Sequence, residues 1–121
     1  MTALVWVGIA ALGGAGAIGR FLLDAAVASR AERDFPFGTL AVNLSGAFAL
    51  GVLLGVSLEG DALLLAGTAT LGSYTTFSTW MLETHRLGED GEWGLGLANV
   101  AISVAVGLGA AALGRAIGGA L

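Results

Sequence analysis

Cysteine and lysine are absent, and histidine occurs once, as His85. Without cysteine there is no disulfide, no thiolate metal site and no cysteine nucleophile. A single histidine excludes a histidine-cluster metal site and leaves at most one candidate for a histidine-based triad. Charge is scarce too: Asp, Glu, Lys and Arg make up 12% of the chain, against roughly 25% in an ordinary soluble domain. A domain of 121 residues has a large surface for its volume and could not cover it with so few charges. A soluble globular domain is therefore excluded. The five basic residues are all arginine, the net charge is −4, and no basic run occurs, which argues against a nucleic-acid partner.

What is present is apolar. Hydrophobic residues supply 56% of the chain, glycine occurs 21 times, and mean hydropathy is +0.88. A helix needs about 20 largely apolar residues to cross a bilayer. Residues 35–58, 62–82 and 93–114 carry no charge, nor do residues 1–19. The pattern predicts a single all-α membrane domain, residues 1–121, with four spans at about 3–23, 38–58, 62–84 and 94–114. The first stretch has no basic residue before its apolar run and reads as a retained helix, not a cleaved leader. The connections are short: 24–36 with Arg30, Glu32, Arg33 and Asp34, a tight turn at Glu59, Gly60 and Asp61, and a polar loop over 85–92.

Four spans put both termini on one side. Arg30, Arg33, Arg86 and the nearby Arg20 lie toward one face and Arg115 alone toward the other. The bias toward a cytoplasmic Arg-rich face is weak, and mixed orientation stays open. Gly51 with Gly55, and Gly114 with Gly118, have the four-residue spacing of small residues that lets helix backbones touch. Packing within the chain accounts for them fully. Four short, tightly packed helices leave little room for a water-filled interior, so a path for a solute would run between subunits of an oligomer.

Several residues stand out against this apolar background. Gly14, Gly16 and Gly19 match a dinucleotide-binding glycine pattern, but no parallel sheet can be built from the remaining chain. Arg20 lies within an apolar segment, where a charge faces a cavity or a partner. It either pairs with Asp24 one turn on, snorkels to the interface, or offers anions a fixed positive charge. Asn43 carries donors and an acceptor that need partners in a bilayer; they either bond another segment or coordinate an anion. In the third span, Ser73, Thr75, Thr76, Ser78 and Thr79 accompany Tyr74 just after Gly72. Five hydroxyls in seven positions point to a broken helix or to a Ser/Thr packing seam. Broken backbone at that depth lines protein or a cavity, and its freed carbonyls suit cations. Asn99 and Ser103 share a face of the fourth span and serve either an interhelical bond or a polar lining.

The segments 16–20 (GAIGR), 38–46 (GTLAVNLSG) and 72–79 (GSYTTFST), in this order and with four spans, resemble the CrcB/Fluc fluoride channels over the whole chain. The resemblance implies passive export of fluoride across the bacterial inner membrane, through an antiparallel, dual-topology homodimer with two pores. It also implies a central Na⁺ held by backbone carbonyls at the third-helix breaks, at Gly72 and Thr75. Asn43 matches the pore asparagine and Phe77 the first pore aromatic. Trp80 stands where a second phenylalanine is usual. Ser78 and Ser103 match hydroxyls along the ion path, Gly107 stands where a further hydroxyl is common, and Ser73 replaces a usual glycine. Arg20 completes the expected ion-pathway set. Two other classes remain as alternatives. A small four-helix multidrug exporter would carry a Glu in the first span, which this chain lacks. A non-transporting helper subunit would conduct nothing alone. No nucleophile–base set is visible, so no enzymatic activity is expected.

Overall fold

The computed structural model describes residues 1–31 and 34–121; Glu32 and Arg33, counted above in the first connection, lie outside the described residues. The chain is all-helical, with no strand among the described residues. Three helices are long and apolar enough to cross a membrane: α1 (Ala3–Ala28), α2 (Phe37–Gly55) and the last helix (Trp93–Ala120). Between α2 and the last helix the chain is built in pieces. They are α3 (Gly60–Leu63), a π-helical stretch (Leu64–Leu71), α4 (Gly72–Tyr74) and α5 (Ser78–Glu89). The last helix is therefore α6.

The boundaries differ from the sequence expectation at several ends, and α5 runs on to Glu89, into the loop expected over 85–92, while α6 runs to Ala120 instead of 114. α1 runs past residue 23 to Ala28, taking Asp24 into the helix. The alanine-rich stretch that follows continues it, until the Ser29 N–H closes on the Ala25 carbonyl at 3.0 Å. α2 stops at Gly55 instead of 58 because Ser57 adopts the left-handed conformation (φ 60). The Ser57 N–H then reaches the Leu54 carbonyl (3.1 Å) and the Leu58 N–H the Leu53 carbonyl (3.0 Å), a Schellman closure. The turn expected at Glu59, Gly60 and Asp61 thus lies earlier, and Gly60 opens α3. Gly91 (φ 78) closes α5 in the same way, with Glu92 bonding the Leu87 carbonyl at 2.8 Å.

Glycine sets the packing. α2 and α6 run side by side in the same direction. Cβ atoms added at Gly51 or Gly114 would strike the backbone of the other helix, at Ala111 and Arg115 or at Phe48 and Val52. Gly55 and Gly118 face the same seam, so both small-residue pairs pack within the chain. α1 lies parallel to the π-helical stretch, with Gly16 against the backbone of Thr70 and Tyr74. The Gly14–Gly19 pattern sits inside α1, not on a strand-to-helix turn. α5 and α6 form an antiparallel pair through Leu87, Gly96 and Asn99. Among the described residues, Val42 and Asn99 are the largest fully buried side chains. Much of the outer surface is apolar, Leu4, Phe21 and Leu97 among it, as expected of helices facing lipid or another chain.

Candidate functional site

The site forms where the helix stops after Tyr74. The Thr75 backbone is extended (φ −79, ψ 163) and helix resumes at Ser78. The Thr75 N–H and hydroxyl both bond the Leu71 carbonyl, at 2.9 and 3.0 Å. The carbonyls of Gly72, Ser73, Tyr74 and Thr75 accept no hydrogen bond among the described residues, because a helix end leaves its last carbonyls without partners.

Asn43 of α2 clips this interruption. Its Nδ2 donates to the Thr76 carbonyl at 2.9 Å, and its Oδ1 accepts the Thr76 N–H at 2.9 Å. The paired geometry fixes which end of the amide faces which group. Of the two readings of Asn43, the bond to another segment is therefore present. The Thr76 hydroxyl accepts the Thr79 N–H at 3.2 Å and so caps the first turn of α5. Tyr74 reaches back to α2, its hydroxyl 2.7 Å from that of Ser45.

Two open grooves flank the clip. One, of about 470 Å³, is lined by Asn43, Gly72, Thr75, Phe77 and Trp80, among others. The second, of about 380 Å³, includes Asn43, Trp80, Ser103 and Gly107. Phe77 is 69% exposed and meets Trp80 edge-to-face, with centroids 5.7 Å apart and planes at 80°. Six residues singled out from sequence thus gather here: Asn43, Gly72, Thr75, Phe77, Trp80 and Ser103. Ser78 lines neither groove; it is exposed, its hydroxyl 3.5 Å from that of Thr76. Arg20 lies apart, in a cavity of about 160 Å³ with Asp24, Thr39, Thr76 and Thr79. Arg20 and Asp24 form no ion pair among the described residues. Asp24 instead packs against Gly38, where α2 begins.

Three side chains near the site, Thr39, Glu83 and Thr84, carry no role in the sequence analysis. The Thr39 hydroxyl donates to Glu83 across α2 and α5; a carboxylate so close to an apolar run was the available signal. Thr84 and Asn99 join α5 to α6, with Asn99 Nδ2 donating to Thr84 Oγ1 at 2.8 Å. Asn99 is 1% exposed, so it serves an interhelical bond and not a lining.

A family model described as CrcB-like protein, Camphor Resistance (CrcB), matches residues 7–115. The chain belongs to the CrcB family. With three helices able to cross a membrane, this CrcB member is a multi-pass membrane protein. A protein of Mycobacterium bovis named "Fluoride-specific ion channel FluC 2" is 55% identical over 115 residues, 95% of this chain and 91% of its own length. One of the same name from Mycolicibacterium paratuberculosis is 58% identical over 114 residues, 94% and 93% of the two chains. "Fluoride-specific ion channel FluC 1" of Symbiobacterium thermophilum is 40% identical over 119 residues, 93% of this chain and 96% of its own. The CrcB match spans most of α1, the Asn43 clip, both grooves and most of α6.

Proposed function

We propose that this chain is a fluoride-selective channel that lets fluoride leave the cytoplasm passively across the bacterial inner membrane. The observation that carries the reading is the near full-length similarity to relatives named as fluoride-specific channels, together with a donor-bearing interruption beside two grooves. These relatives fit the channel reading and not the multidrug-exporter or helper-subunit alternatives.

Fluoride is small and strongly hydrated, so a path must replace its water with donors. An amide carries two N–H donors. One of Asn43's is engaged by the Thr76 carbonyl, leaving a second for an anion. Ser78 and Ser103 add hydroxyls. An aromatic ring is positive at its edge, so Phe77 and Trp80 can meet an anion with ring C–H groups while keeping the path narrow. Arg20, with no carboxylate partner among the described residues, draws anions toward one end. The chain has no lysine and no second arginine within the spans near the path to trap the ion, and conduction requires that ions also leave.

The segment from Gly60 to Glu89 acts as a fourth span, broken at Thr75. The parallel runs of α1 with the π-helical stretch and of α2 with α6 support four alternating crossings. A Na⁺ ion at the break would be held by the carbonyls of Gly72 and Thr75. Those oxygens lack hydrogen-bond partners here, they are the hard neutral donors such a cation takes, and Gly72 has open space where a Cβ would stand. Such an ion would supply fixed positive charge between two copies. The grooves are open on the outer surface, so a second copy in antiparallel orientation closes them into two paths.

Two measurements test this. Liposomes holding only this protein should release fluoride rapidly and chloride at least a hundredfold more slowly; equal rates, or no fluoride release from folded protein, sink the channel reading. A tag at the C-terminus, labelled in intact cells, should be reached from both sides of the membrane. One-sided labelling rejects the antiparallel homodimer and favours pairing with a second, oppositely oriented chain.

A further inference from the structure

The channel reading assigns Trp80 to the ion path but leaves Asn99 and Thr84 without a role. Asn99 is a polar side chain, 1% exposed, on a largely apolar helix. Burying an amide there is costly unless its groups are bonded. Its side-chain bonds run to two residues one turn apart on α5, Thr84 and Trp80. Asn99 Nδ2 donates to Thr84 Oγ1 at 2.8 Å and lies 3.5 Å from the Trp80 carbonyl. Thr84 Oγ1 donates in turn to the Trp80 carbonyl at 2.8 Å. From the other side, the Trp80 indole N–H donates to the Asn99 carbonyl at 3.2 Å. Main chain and ring of Trp80 are thus both tied to one turn of α6.

Trp80 also lines both grooves, as no other aromatic among the described residues does, and its ring makes the edge-to-face contact with Phe77. An indole differs from a phenyl ring in carrying a strong N–H donor. Left free in a groove, that donor would bind an anion and hold it. Tied to α6, it is withdrawn, and only ring edges remain to face the grooves. We infer that Asn99 is a positioning residue. Through Thr84 it holds α5 against α6 in the register that engages the Trp80 indole N–H, so that a tryptophan serves where a phenyl ring would. This rests on the channel reading of Trp80; the clasp itself does not.

The test combines Asn99→Leu, which keeps the branched shape and removes the polar groups, with Trp80→Phe. In protein labelled with ¹⁵N-tryptophan and held in micelles, the Trp80 indole N–H should give a downfield resonance that exchanges slowly with D₂O. Asn99→Leu should shift it upfield and speed its exchange at least tenfold. In liposomes Asn99→Leu should lower fluoride efflux at least tenfold. In the Trp80→Phe background, the same substitution should change efflux by less than twofold from that background's own rate. Asn99→Gln, which keeps the amide, should recover part of the loss. An unchanged indole resonance, or an equal loss of efflux in both backgrounds, overturns the inference, because a merely structural asparagine would matter whatever ring stood at position 80. If the unsubstituted protein moves no fluoride, the channel reading fails, while the indole resonance still decides whether the clasp exists.

Discussion

Gly114→Leu should abolish folded protein, although it adds an apolar side chain to an apolar helix. A Cβ at Gly114 would stand 3.1 Å from both the Phe48 carbonyl carbon and the Val52 nitrogen, and closer still to the Phe48 oxygen. These are backbone atoms, so no rotamer change can make room. The seam is reciprocal: a Cβ at Gly51 would stand 3.0 Å from the Ala111 carbonyl carbon and the Arg115 nitrogen. α2 and α6 would therefore have to separate along their length. Between helices in lipid no hydrophobic force restores the contact, because association rests on close packing. Overpacking costs typically about 1–3 kcal/mol; separating a whole helix pair should exceed that range. The expected result is loss of the monodisperse peak in detergent. Gly109→Ala on the same helix should elute normally, since a Cβ there meets nothing within 4 Å. A Gly114→Leu protein of unchanged stability to denaturant would remove the seam from the account of the fold.

That seam was legible because it is local: small residues four apart read directly as a close-packing face. The helices were legible for a similar reason, since long charge-free stretches have few other outcomes. The ends were not. Asp24 reads as the start of a loop when charge is taken to mark the edge of an apolar segment, yet helix continues through it into an alanine-rich stretch. The turn after α2 turns on Ser57 in a left-handed conformation, which serine seldom signals. The π-helical stretch Leu64–Leu71 has no composition of its own to read; its Thr70 hydroxyl bonds the carbonyl five residues back, at 2.7 Å. At the site, residue types were legible and pairings were not. Asn43 is plainly a polar group in need of partners. That it takes both main-chain groups of Thr76, 33 residues away, is a property of the folded chain. The choice between bond and lining for Asn99 is of the same kind.

Phe77→Ile separates a path residue from a packing residue. Phe77 is 69% exposed within the chain, and its ring contact is the edge-to-face pair with Trp80. Isoleucine keeps an apolar side chain and most of the volume, so stability should fall by about 1–2 kcal/mol at most. What disappears is the positive ring edge. If Phe77 only covers helices or meets lipid, fluoride efflux should survive along with the normal elution profile. If the edge stands in for hydration water, the ion meets an apolar constriction with nothing to replace that water. Efflux should then fall about a hundredfold or more, a barrier increase of roughly 2.7 kcal/mol, while elution stays normal. The same substitution cannot act through the Asn43 clip, because that clip engages the Thr76 main chain and not the ring. Near-normal efflux from Phe77→Ile liposomes would take Phe77 out of the path. The groove lined by Asn43, Trp80 and Ser103 would then be the remaining place for fluoride to cross.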